Sequence, residues 1–303
     1  MVVYHQGPSL VVHTPAKLNL FLKILGKRPD GYHSLETVMV SVGLYDTLVF
    51  RESESNQTHL NCHRCDSLHT FSETPFPNLP AGPDNLVVRA ERLLRKHTGF
   101  EQGVQIDLIK RIPMQAGMGG GSSDACATLV GLNRLWRLGL TTETLHELAA
   151  QLGSDVNFFV ESPLAAICRG RGERVEPIRL SRCLPMVVAC PNSGLSTPDV
   201  FRKWSSSVCA SVDVDEYVDR LQRGLLSHED GIHNALEAPA IELSDDVRST
   251  LASLRRATMR PVGMSGSGTA CFAVCQTKLE ALGVARRMRG AGVRSVFVVN
   301  SRV

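Results

Sequence analysis

Residues 104–136 read VQIDLIKRIPMQAGMGGGSSDACATLVGLNRLW. VQIDLIKRI has the character of a strand and runs directly into a glycine cluster, Gly117, Gly119, Gly120 and Gly121. Two serines and an aspartate then open an apolar helical pattern, with Ser122 or Ser123 predicted as its cap. Strand, tight loop and helix in that order commit the chain to layered α and β structure. Glycines in such a loop let main-chain N–H groups approach a ligand with no Cβ in the way. The helix start adds unpaired N–H groups and the positive end of a dipole, so the stretch is a candidate anion site. It fits neither G-x-x-x-x-G-K-S/T nor the dinucleotide G-x-G-x-x-G, and the lysine of the first pattern is missing. A tight turn with packing glycines accounts for the same letters.

The same interleaving recurs along the chain. VVHTPAKLNLFLKIL alternates, with Val12, Ala16, Leu18, Leu20, Leu22 and Ile24 on one parity and Lys17, Asn19, Phe21 and Lys23 on the other. This predicts a strand with one buried face and Lys17 beside Asn19 on the opposite face. LETVMVSVGL and DTLVF read as two further strands, and residues 51–83, rich in polar residues and proline, as a long surface excursion. DNLVVRAERLLRKHTG reads as a helix capped by Asp84 or Asn85 and ended by Gly99, with Leu86, Ala90, Leu93 and Leu94 as its stripe. TTETLHELAAQLGSD is another, closed by Gly153. Beyond about residue 176 the pattern restarts: CLPMVVAC, GTACFAVC and RSVFVVN as strands, VRSTLASLRRA and KLEALGVARRMRG as helices, and a serine-rich linker near Ser205. Two α/β layered domains are therefore predicted, over residues 1–176 and 177–303, in a chain of 303 residues.

Composition narrows the partners. A net charge of +3 is small for this length and gives no reason to expect nucleic acid or an anionic membrane as partner. No apolar run approaches the ~18 residues of a membrane helix, and the N-terminal stretch has no signal-peptide pattern. Nine scattered cysteines read as buried free thiols of a cytoplasmic protein. Cys62 and Cys65, with His59, His63 and His69 around them, supply only one ligand pair, so a solvated loop is expected there over a zinc site.

PMQAGMGGGSSDA resembles the central motif of the GHMP kinases, which bind ATP with a Gly/Ser loop in place of a Walker loop. TPAKLNLFLKILGKRPDGYHSLETVM is similar to the N-terminal motif of that family and PVGMSGSGTACFAV to the C-terminal one, so the resemblance spans nearly the whole chain. Within the family, AKLNLFLKI with RPDGYHSLETV, LGSDVNFF and AICRGRGE resembles the branch whose acceptor is a cytidine diphosphate-linked methylerythritol. That branch serves the non-mevalonate route to isoprenoid precursors. The resemblance implies an α+β chain of GHMP kinase fold. Its N-terminal domain is ribosomal-protein-S5-domain-2-like and its C-terminal domain ferredoxin-like. The nucleotide and acceptor are expected between the domains. A monomer or weak homodimer is expected. Rival readings are a homoserine- or mevalonate-type kinase of the same family, or a nucleotide-binding regulator without turnover.

The resemblance also implies roles. ATP with Mg²⁺ would donate a phosphoryl group to a tertiary hydroxyl, a transfer governed by positioning and charge stabilisation. Asp155 would be the general base, and Lys17, next to it, the cation that the loop lacks. By bare pattern Asp155 is an N-cap and Lys17 an exposed strand lysine. Asn19, Tyr32, His33, Thr197 and Phe201 would hold the acceptor, with Tyr32 and Phe201 stacking on the base. Asn85, Leu86 and Val87 would meet adenine, with Lys110 nearby. Pro113, Met114, Gln115, Ala116, Gly117, Met118, Gly119, Gly120, Gly121, Ser122, Ser123 and Asp124 would follow the phosphates. The metal is expected on the phosphate oxygens, with no protein ligand named. Two letters depart from the family pattern: Met118 where leucine is common, and Asn157 where proline usually follows DV.

Overall fold

A computed structural model describes residues 1–65, 71–72, 82–191, 193–205, 213–226 and 231–301. The strands are β1 (Val2–Gln6), β2 (Ser9–Lys27), β3 (His33–Glu52), β4 (His59–Cys65), β5 (Phe71–Ser72), β6 (Val104–Lys110), β7 (Ala165–Gly170), β8 (Arg174–Ile178), β9 (Pro185–Cys190), β10 (His233–Asn234), β11 (Val262–Met264), β12 (Cys271–Val274) and β13 (Ser295–Asn300). The helices are α1 (Leu86–Thr98), α2 (Gly120–Leu135), α3 (Thr142–Leu152), α4 (Val156–Val160), α5 (Thr197–Lys203), α6 (Val214–Gln222), α7 (Glu237–Leu243), α8 (Asp245–Ala257) and α9 (Lys278–Gly290). Two compact units result: Met1–Ala16, Leu44–Ile112 and Gly119–Ser162 form the first, and Lys17–Gly43, Pro113–Met118 and Pro163–Val303 the second.

In the first unit β1 pairs antiparallel with the start of β2, the end of β3 pairs antiparallel with β6, and β4 lies parallel to β6. Asn85 caps α1 by accepting from the Val87 N–H, and Gly99 ends it in the left-handed region. Thr141 caps α3 in the same manner. Helix α2 is buried on most sides, and it reaches β3 because residue 131 is glycine. A Cβ there would lie 2.7 Å from the Phe50 ring.

In the second unit β9, β11, β12 and β13 form a four-stranded antiparallel sheet in the order β11-β12-β9-β13. Helices α8 and α9 cover it through Val247, Leu251, Leu254, Val284, Ala285 and Met288. The end of β2, the start of β3 and strands β7, β8 and β10 complete this unit, with β3 antiparallel to β7 and β7 to β8.

Four local expectations need correction. Strand β2 is covered on both faces: Lys17 and Asn19 are 2% and 1% exposed, so their parity face is lined with polar partners and not with solvent. LETVMVSVGL and DTLVF are one 20-residue strand, because Gly43 takes no turn conformation. Residues 51–83 contain a strand, β4, whose HLNCHRC letters carry no apolar alternation to announce it. Helix α2 begins at Gly120, with Gly119 as its cap, so Ser122 and Ser123 fall inside its first turn. The serine-rich segment just beyond Ser205 and His69 lie outside the described residues. Among the described residues, Cys62, Cys126, Cys168, Cys183, Cys190, Cys271 and Cys275 are free thiols, and no helix is long and apolar enough to cross a membrane.

Candidate active site

The glycine loop contributes its second half to the first unit. Gly119 has φ +69, a left-handed conformation that lets the chain turn into α2. The Ser123 N–H donates to the Gly119 carbonyl at 2.8 Å. Ahead of that bond, the amides of Gly120, Gly121 and Ser122 have no carbonyl one helical turn earlier. Ser123 itself faces the core: its hydroxyl donates to the Pro15 carbonyl at 2.7 Å and adjoins the Thr14 hydroxyl. Leu86, at the start of α1, stands 3.3 Å from where a Cβ on Gly121 would be.

Beneath this turn lies a buried ionic cluster. The Lys110 ammonium donates to Asp46 and, at 2.6 Å, to Asp124. Burial disfavours the ammonium, but the Asp124 and Asp46 carboxylates outweigh it and hold its pKa above the usual lysine value. For Asp124, burial lifts the carboxyl against the pull of Lys110, and the Asp46 charge adds to the rise, which reaches about 8. Asp155 occupies the cap position of α4, half-buried, and its side chain makes no capping bond to that helix.

The second unit holds Lys17. Its ammonium donates to Asn19 Oδ1 at 2.6 Å, and its backbone N–H donates to the Met118 carbonyl at 3.0 Å. Asn19 Nδ2 donates to Thr37 Oγ1 at 2.8 Å, and the Thr37 hydroxyl donates onward to the Phe21 carbonyl at 2.6 Å. Asn19 is thereby oriented with its oxygen toward Lys17. The Asn19 N–H donates to Ser265 Oγ at 3.1 Å, and the Ser265 hydroxyl donates to the Gly117 carbonyl at 2.9 Å. The second glycine turn thus grips both the lysine strand and the first half of the loop. The Ala270 N–H donates to the Ala116 carbonyl at 3.0 Å, and Gln115, at φ +51, packs against Gly194.

The aromatic residues gather in the same unit. The His33 ring lies 5.1 Å from Phe201, and Trp204 meets it edge-on at 5.6 Å. Burial and the Lys27 charge depress the His33 pKa, so the imidazole is neutral at pH 7. Tyr32 is 52% exposed, with the Arg171 guanidinium 4.8 Å from its ring centroid. Thr197 Oγ1 hydrogen-bonds with Ser267 Oγ at 2.8 Å.

Residues 85–163 match the family described as GHMP kinases N terminal domain, and residues 217–294 match GHMP kinases C terminal. A 4-diphosphocytidyl-2-C-methyl-D-erythritol kinase of Bacillus pumilus is 35% identical over 91% of this chain and 91% of its own length. The chain belongs to the GHMP kinase family. A Bacillus cereus kinase of the same name is 37% identical over 87% of each chain. A crystal structure of 4-(cytidine 5'-diphospho)-2C-methyl-D-erythritol kinase superposes with a TM-score of 0.78 at 32% identity, covering 97% of this chain and all 100% of the other.

The structure brings together Lys17, Asn19, Gly117 and Met118 in one unit, and Leu86, Lys110, Gly120, Gly121 and Asp124 in the other. Lys110 is committed to two carboxylates, and Met114 is 40% exposed. The sequence assigns no role to Thr37, Asp46, Arg171, Trp204 or Asn234, which contact these groups. Asn234 Nδ2 donates to the Met264 and Gly266 carbonyls at 2.8 Å, fixing the second glycine turn. An asparagine two residues before Leu236, whose N–H it also caps, was the available signal.

Proposed function

We propose that this GHMP kinase transfers the γ-phosphoryl group of ATP to the 2-hydroxyl of 4-diphosphocytidyl-2-C-methyl-D-erythritol, a step of the non-mevalonate route to isoprenoid precursors. The observation that carries this reading is likeness, at 32–37% identity over 87–97% of the chain, to proteins that bear that kinase name. The buried Lys17–Asn19 pair supports it from the side of geometry.

In this reading the amides of Gly120, Gly121 and Ser122 and the start of α2 receive the phosphates. Asp155 accepts the hydroxyl proton, the freed oxygen bonds to the γ-phosphorus, and the bond to the β-phosphate oxygen breaks to release ADP. Lys17 offsets the charge spread over the moving phosphoryl group, and Asn19 fixes the direction of its ammonium. Tyr32 and Phe201 take the two faces of cytosine, neutral His33 its polar edge, and Thr197 the neighbouring sugar side. Among the described residues no three His, Cys, Asp or Glu side chains gather as a metal-binding group. A donor set of nucleotide oxygens and water suits Mg²⁺, a hard cation that keeps its waters and phosphate ligands. The matches at 85–163 and 217–294 fall on either side of the 176/177 division, while the two compact units interleave along the chain.

The test is a coupled ADP-release assay on wild-type, Lys17→Ala and Asp155→Asn proteins with cytidyl, homoserine and mevalonate acceptors. Turnover with the cytidyl acceptor should fall by about 10²- to 10⁴-fold in each variant. Binding of a non-hydrolysable ATP analogue should change little. Unaltered turnover in both variants removes the assigned roles, and preference for another acceptor removes the substrate.

A further inference from the structure

Asp46 is fully buried in β3, in a stretch with no motif character. An isolated buried carboxylate is costly, so its partners define what it does. Oδ1 accepts the N–H groups of Arg111 at 2.6 Å and Ile112 at 2.9 Å. Oδ2 accepts the Lys110 ammonium. Three consecutive residues therefore converge on one carboxylate at the point where β6 ends and the chain enters the glycine loop. Lys110 carries the connection onward to Asp124, just past the first turn of α2, at 2.6 Å. Its Nζ lies 3.2 Å from where a Cβ on Gly120 would be, and Ile112 flanks the same spot at 3.0 Å. The chain entering the loop and the helix leaving it are thus tied through a single side chain from another strand.

We propose that Asp46 is a positioning residue for the nucleotide: it sets where the Gly120–Ser122 amides stand, acting through Lys110 and Asp124 and touching no substrate atom. This rests on the ATP-dependent reading above. Stability alone is a poor reason for such a cluster, because a buried ion group gives little net stability over well-packed apolar residues. Asp124 also puts a carboxyl group just past the helix start that receives the phosphates, where its orientation bears on the neighbouring amides. Lys110 fixes that carboxyl group by a hydrogen bond, and Asp46 holds Lys110 in place.

The experiment measures both KM values, the affinity for a non-hydrolysable ATP analogue and the melting temperature of Asp46→Asn. Asparagine keeps an oxygen for the two amides but loses the anion that holds Lys110. KM for ATP and the dissociation constant of the analogue should each rise about tenfold, within the hundredfold that a 1 Å misplacement costs. KM for the acceptor should stay within about twofold. A purely structural role would lower the melting temperature and the active fraction and leave both KM values in place, which overturns the proposal. Should Asp46→Asn fail to fold, Asp124→Asn, which keeps both Asp46–amide bonds, should raise KM for ATP severalfold, and an unchanged value there overturns it as well. Wild-type protein that consumes no ATP would refute the kinase reading itself; a working wild type with an unmoved ATP KM in the variants refutes only the role of Asp46.

Discussion

Gly117→Ala is the substitution whose outcome the coordinates constrain most tightly. Gly117 has φ +70, and a Cβ built on it lies 2.0 Å from the Ser265 carbonyl oxygen and 3.0 Å from that of Gly268. Carbon and carbonyl oxygen approach no closer than ~3.3 Å even in favourable contacts, so the two backbones must part by about 1.3 Å. Neither oxygen belongs to a flexible side chain that could swing aside. The left-handed conformation adds roughly 1–2 kcal/mol, and overpacking of a closed site typically ~1–3 kcal/mol. The expected destabilisation is therefore about 2–5 kcal/mol, and the retreat pulls Ser265 from both Asn19 and the loop. A displacement of that size is expected to lower kcat/KM by at least ~10²-fold. The assay is urea unfolding of the variant beside its coupled ADP-release kinetics. A variant with wild-type stability and turnover would refute the claim that the two glycine turns are in backbone contact.

Further expectations follow from charge and stacking. Asp124 has its carboxyl raised from 3.8 to about 8, chiefly by burial. The native state therefore keeps this proton over a window where the unfolded chain has lost it. Its contribution is complete below pH ~4 and declines toward pH ~8, at up to ~1.4 kcal/mol per pH unit. In urea melts at pH 5, 6.5 and 8 the stability of wild type relative to Asp124→Asn should fall with rising pH, and a pH-independent difference contradicts the shift. Phe201→Ala removes a ring beside His33, and loss of base stacking worth ~1–3 kcal/mol should raise the acceptor KM about five- to hundredfold with the ATP KM unmoved. An equal rise in both KM values would place Phe201 outside the base site.

The parts of the fold that the letters expose are those with local signals. Asn85 and Gly99 bound α1, and Thr141 and Gly153 bound α3, because caps are written next to the helices they close. Lys17 and Asn19 stand out as polar letters on one parity of an apolar strand, and their hydrogen bond follows from that spacing. Their burial does not, since the groups that cover them, Thr37 and Ser265, sit 18 and 246 residues from Asn19. Asp46 is illegible for the same reason: its Lys110 partner is 64 residues away and no motif marks it. Strand β4 escapes detection because its pairing with β6 is made by backbone groups, whatever side chains they carry. Long-range polar pairing leaves no period in a sequence, whereas caps and apolar faces do.

The product of the reaction tests the kinase assignment most directly. Phosphorus NMR of protein incubated with ATP, Mg²⁺ and 4-diphosphocytidyl-2-C-methyl-D-erythritol should show one new phosphomonoester per ADP formed, attached at the 2-hydroxyl carbon. ATP consumed without that resonance, or a phosphomonoester formed only on homoserine or mevalonate, would contradict it.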